Sequence, residues 1–231
     1  MDSPANWPWD YIAKEANIMS KYLTHLPEII KFAGVLAHFG LLPVVQGFTL
    51  RGVSMSKIPD CHLAALARIT DSKSEVYIEK NFTRNLSPLL RNLQCKRLYL
   101  SDSPLEFEET VALVEGMEAG VKEVIFFPND DENDDNNSTV LFSTEAMKMY
   151  SGNGTCRRLD VLTDGMYHDD EMHYSKALEE WAKEKKGWQW THEEQIEMSE
   201  NEWTHNTEFG DYSYFDDYTP IITVSCNNEE V

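Results

Sequence analysis

The sequence has no run of about 18 apolar residues, so it predicts no membrane-spanning helix. Its start, MDSPANWPWDY, lacks a basic stretch followed by an apolar one, so no secretory signal is expected. It has no GxxxxGK[ST] phosphate loop, which excludes a nucleotide-driven switch of that type. Cysteine is scarce: four residues, at 61, 95, 156 and 226, show no CxxC spacing and no histidine pair at zinc-finger distance. Reduced and mostly buried thiols in a cytoplasmic protein are therefore expected, with no metal, no cofactor and no catalytic set. Several Asn-x-Ser/Thr sequons, at Asn81, Asn85, Asn136, Asn137 and Asn153, read without a signal peptide as chance in an Asn-rich chain.

Positive charge is also short. Lys and Arg number 20 against 40 Asp and Glu, a formal charge of −20 over 231 residues. After Lys186 there is no Lys or Arg, while the same 45 residues hold 11 acids. That balance argues against sequence-independent nucleic-acid binding, which needs a basic face to release counterions, and against docking on anionic lipid. Self-repulsion makes the acidic tail a candidate for disorder.

What is present is an ordinary apolar share of 42%, enough for a folded body. In residues 10–42 apolar positions recur at helical spacing, with Pro27 opening a second helix and Pro43 closing it. From 48 the rhythm changes. Short runs rich in branched and aromatic residues predict strands at 48–53, 75–80, 96–101, 122–127 and 157–162, with a weaker one at 187–192. Helical stretches lie between them, and an acidic insertion, PNDDENDDNNST, widens the gap after 127. A strand and a helix per unit of roughly 20–35 residues is the rhythm of a repeat array, in which only a neighbour closes each unit's apolar face. The expected class is α/β: a short leucine-rich-repeat-like β/α solenoid over 48–192, with parallel strands and helical returns. An N-terminal helical cap would cover 1–47 and an acidic aromatic tail 193–231. A doubly wound α/β sheet is the rival, but a Gly-rich first turn is missing.

Three pieces, LVEGMEAGVKEVIFF, YSGNGTCRRLDV and LEEWAKEKKGWQW, carry a family likeness. Through them residues 48–192 resemble the degenerate leucine-rich-repeat-like C-terminal modules of invertebrate NOD-like receptors and related multidomain immune proteins. The resemblance implies ligand or partner sensing through a repeat surface, usually attached to death-fold or nucleotide-binding domains. The missing phosphate loop and the acidic tail depart from that pattern.

The candidate sites divide by chemistry. Cys95 and Cys156 each precede a strand at the same phase and read as core thiols. His168, Asp169, Asp170, Glu171 and His173 could gather on a divalent cation, but the spacing better suits an acidic helix N-terminus. The insertion NDDENDDNN lacks the Gly and Glu of a calcium loop. Trp181 and Trp188 read as the closing cap of the last repeat. In the tail, Phe209, Tyr212, Tyr214, Phe215 and Tyr218 interleave with acids; that segment either docks on a basic, apolar groove or folds back, with ITVSC adding a strand. The expected function is a non-enzymatic protein-binding scaffold, engaged in innate-immune sensing or regulation. Its partner would meet the outward strand positions Thr49, Arg51, Tyr77, Glu79, Arg97, Tyr99, Lys122 and Arg158, or the tail. The alternatives are an acidic decoy for a basic or nucleic-acid-binding partner and, more remotely, a metal-dependent enzyme at the His168–His173 cluster.

Overall fold

The computed structural model describes residues 37–40, 44, 46–51, 59–79, 85–101, 103–128, 140–164, 166–196 and 219–226. The expected cap over 1–47 therefore lies almost wholly outside the described residues. So do the acidic insertion and the tail aromatics Phe209, Tyr212, Tyr214, Phe215 and Tyr218.

The chain is α/β. Five strands, β1 (Gly47–Arg51), β2 (Glu75–Glu79), β3 (Cys95–Ser101), β4 (Val121–Phe127) and β5 (Arg158–Leu162), lie parallel and side by side in chain order. Between them run α1 (Asp60–Leu66, continued by a 3-10 turn at Ala67–Ile69), α2 (Ser87–Leu90), α3 (Phe107–Ala119) and α4 (Thr144–Met147). After β5 come α5 (His168–Glu184), β6 (Trp188–Ile196) and β7 (Thr219–Cys226). The sheet order is β1-β2-β3-β4-β5-β7-β6, with β7 antiparallel to both neighbours.

Alternation sets which face is covered. Val76 and Ile78, Leu98 and Leu100, Val124 and Phe126, and Leu159 and Val161 are all buried. They form one core with Leu63 and Leu66 of α1, Leu89 and Leu90 of α2, Leu113 and Met117 of α3, and Tyr174 and Leu178 of α5. The described helices thus lie on one side of the sheet, each packed on the next in chain order.

The pattern has an offset at the strand starts. Cys95, Val121 and Cys156 are fully buried, although each stands three residues before the buried Leu98, Val124 or Leu159. Residues three apart on a regular strand face opposite sides. The backbone therefore turns as it joins the sheet, and each unit reads apolar-x-x-apolar-x-apolar.

Polar joints tie neighbouring units. Glu109 of α3 is buried; its carboxylate accepts the Leu86 N–H at 2.6 Å and the Glu106 N–H at 3.2 Å, closing a capping box at the start of α3. Burial raises its pKa, opposed by those two hydrogen bonds. The Tyr174 hydroxyl of α5 accepts the Leu141 N–H at 2.8 Å and so holds the segment before α4.

At the far end Tyr150, Trp181 and Trp188 pack together. The two indoles meet edge to face at 4.8 Å, and Trp188 Nε1 donates to the Gly152 carbonyl at 2.8 Å. Gly152 makes that turn at φ 81°, where a side chain would be strained. Trp181 belongs to α5 and Trp188 opens β6. The strand expected at 187–192 exists, but it is not the next parallel neighbour of β5. It forms the sheet edge, and β7, which contains ITVSC, is inserted between them. The boundary drawn at 192 falls inside β6.

Candidate functional site

The opposite face of the strands carries side chains that the helix-side core leaves out. Register defines its columns. One runs Glu75, Arg97, Glu123, Arg158, Ser225, Gln189; the next runs Thr49, Tyr77, Tyr99, Ile125, Asp160, Thr223, Thr191. Arg51 and Glu79 pair in a third with Ser101 and Phe127. Of the eight strand residues expected on this face, Tyr77, Glu79, Arg97, Tyr99 and Arg158 stand on it, and Thr49 and Arg51 share its register.

Lys122 does not. It is one residue out of phase and stands in register with Lys96 and Arg157, at the strand starts. The residue in the column of Arg97 is Glu123. The slip arises where Val121 turns into the core, so counting outward positions from the first strand residue lands one residue early.

The face is built from short-range contacts between adjacent strands. Tyr77 and Tyr99 stack with centroids 4.2 Å apart and planes 1° from parallel, and Phe127 lies 6.3 Å beyond Tyr99. Tyr99 is buried and Tyr77 half-buried in this stack, so the pair offers little open ring face. The Tyr77 hydroxyl donates to Glu75 Oε2 at 3.3 Å, and Tyr99 hydrogen-bonds with Tyr77 and Arg97. Arg97 Nε donates to Glu123 Oε2 at 2.7 Å, with both side chains about a quarter exposed. Arg158 Nε donates to Asp160 Oδ2 at 2.7 Å, while Thr223 Oγ1 donates to Asp160 Oδ1 at 2.8 Å.

These surroundings shift the titration of the tyrosines and of Asp160. Burial, then Tyr99 and Glu75, hold the Tyr77 phenol well above its ordinary range. Burial likewise raises the Asp160 carboxyl, opposed by Arg158 and Thr223. The chemistry of these groups is that of a pre-arranged surface of stacked aromatics and paired charges. Ile125, Phe127, Glu123 and Asp160 were not singled out in sequence. Aligning the units on Leu98, Val124 and Leu159 would have placed them.

The other candidate centres resolve differently. Cys95 and Cys156 lie in the core; burial pushes the Cys156 thiol up to about 12 and raises Cys95 as well, with Cys156 adding to the latter. Asp169, Asp170 and Glu171 occupy the first turn of α5. Glu171 contacts His192 of β6 at 2.9 Å and His168 at 3.9 Å, while His173 packs edge-on against Tyr174. Among the described residues no group of three or more His, Cys, Asp or Glu is arranged to hold a metal ion, and no helix is long and apolar enough to cross a membrane. An open depression of about 440 Å³ on the helix side is lined by Asp60, Ser87, Arg91 and Phe107, with Arg91 held by Glu115. Comparison of the chain with protein-family models, with curated proteins and with solved structures returned no match.

Proposed function

We propose that this chain is a non-enzymatic recognition module, a leucine-rich-repeat-like stack that binds a protein partner across the outward face of its sheet. The solenoid reading is supported by the sequential parallel strands, the layer that the described helices form on one side and the apolar-x-x-apolar-x-apolar frame at Cys95, Leu98 and Leu100 and its two successors. A role in innate-immune sensing or regulation rests on the resemblance alone.

One observation carries the assignment of the face. Tyr77, Tyr99, Arg97, Glu75 and Glu123 form a continuous hydrogen-bonded and stacked array on the side of the sheet opposite the described helices. Tyr and Arg are the residues most often found at binding hot spots, and side chains already locked lose little entropy on association. Affinity capture from the native source is the test. The wild-type chain is compared with Tyr77→Ala/Arg97→Ala and with a helix-side control, Lys148→Ala/Lys176→Ala. The reading expects the first variant alone to lose a partner; equal retention by all three contradicts it.

A further inference from the structure

The residue that fell out of phase leads to a second surface. Lys96, Lys122 and Arg157 stand in register on three neighbouring strand starts, from β3 through β4 to the residue before β5. All three are exposed. Adjacent strands lie 4.7–4.9 Å apart, so the cations form a rim about 10 Å long. Like charges placed side by side are destabilising, and a chain with twice as many acids as bases has no shortage of counter-charges.

Several of those counter-charges are engaged elsewhere. Arg97 takes Glu123, Arg158 takes Asp160, Arg91 takes Glu115 and Lys183 takes Glu179. Glu118, on the helix that ends beside the rim, accepts the Ser151 N–H at 2.8 Å. Asp71 near the start of β2 accepts the Lys73 N–H at 2.8 Å and a hydrogen bond from Ser74. Among the described residues Lys96, Lys122 and Arg157 form no ion pair; Arg157 has only a 4.0 Å approach to the Cys226 sulfur.

We propose that this rim of Lys96, Lys122 and Arg157 is a second docking surface, and that it takes a short acidic segment of a protein partner. Charge complementarity defines the occupant's sign, and the field of the whole molecule defines its length. At physiological ionic strength the Debye length is about 8 Å, so a ligand confined to the rim meets mainly the local cations. A long polyanion such as a nucleic acid overruns the rim and meets the surrounding negative field. Two or three carboxylates on an extended peptide match the 10 Å span. The surface is separate from the aromatic array, because its residues stand one position off that face.

The test uses fluorescently labelled peptides, four Glu–Ser repeats against four Gln–Ser repeats, with anisotropy titration of the full chain. Lys96→Glu/Lys122→Glu/Arg157→Glu reverses the rim; the neutral triple Lys96→Gln/Lys122→Gln/Arg157→Gln guards against misfolding, and circular dichroism checks both. The expected result is binding of the Glu peptide only, weakened at least tenfold by either triple variant and unchanged by Tyr77→Ala. Absence of Glu-peptide binding, or equal binding by the wild-type chain and both triple variants, overturns the proposal. So does equal or tighter binding of a single-stranded oligonucleotide of the same charge.

Discussion

Replacing Gly116 with alanine sets two effects of known sign against each other. Gly116 lies inside α3, where exchanging glycine for alanine ordinarily stabilises a helix by about 1 kcal/mol. Here a Cβ would overlap the carbonyl oxygen of Leu90 in α2. That oxygen belongs to backbone, so no rotamer change relieves the contact. The short helix cannot easily withdraw either, because Leu89 and Leu90 are fully buried. Overpacking of this kind costs about 1–3 kcal/mol, and a backbone obstacle puts the cost in the upper part of that range. The net expectation is a loss of about 1–2 kcal/mol. Urea unfolding followed by tryptophan fluorescence reads it, with the exposed Lys176→Ala in α5 as a control expected to stay within about 0.5 kcal/mol. If Gly116→Ala is instead stabilised by about 1 kcal/mol, α2 does not press on α3 and the one-sided helix stack is wrong.

Three further outcomes follow from the same structure. Trp188→Phe removes the indole donor from the buried Gly152 carbonyl, and loss of one buried hydrogen bond costs about 2 kcal/mol in the same urea assay. A thiol reagent at pH 8 should label Cys61 rapidly in the native chain, and Cys95 and Cys156 only after unfolding, since both are buried with raised pKa. Fast native labelling of all four cysteines would contradict the core assignment. Asp160 has a folded-state pKa raised by burial, so its contribution to stability is full below its unfolded value and is lost as pH rises through the folded one. The stability of the wild type relative to Asp160→Asn should therefore shrink as pH rises above about 4. A gap that widens with pH would mean that the Arg158 pair outweighs burial.

The parts of this fold that were legible in sequence are those with local signals. The β-branched and aromatic runs placed β1 to β5 to within a residue or two, because alternating burial imposes its period directly on the chain. The cysteines at the start of β3 and just before β5 mark equivalent phases for the same reason: a small apolar residue fits under the turn. Long-range choices left no such mark. Nothing in TPIITVSC says that it pairs with β5 rather than lying beyond β6; that follows from a ladder closed between Arg158–Leu162 and Ile221–Ser225. Glu109 carries no local mark that sets it apart from the other acids of its glutamate-rich helix, yet it is buried and accepts the Leu86 amide of the neighbouring unit. Lys122 was read with the outward face because a strand was assumed to alternate from its first residue, and the turn at Val121 breaks that assumption. The aromatic array was half visible. Tyr77, Tyr99 and Arg97 were named, while their partners Glu123 and Phe127 required the register between strands.

The central claim is that partners meet the outward face of the sheet rather than the helix layer. Site-specific photo-cross-linking tests it most directly. A photoreactive residue is placed in turn at Glu79 and Ile125 on the sheet face, and at Glu108 and Met149 on the helix side, in chains exposed to the native source. Discrete cross-linked partner bands are expected from positions 79 and 125 and none above background from 108 and 149. Bands arising only from the helix-side positions would contradict it.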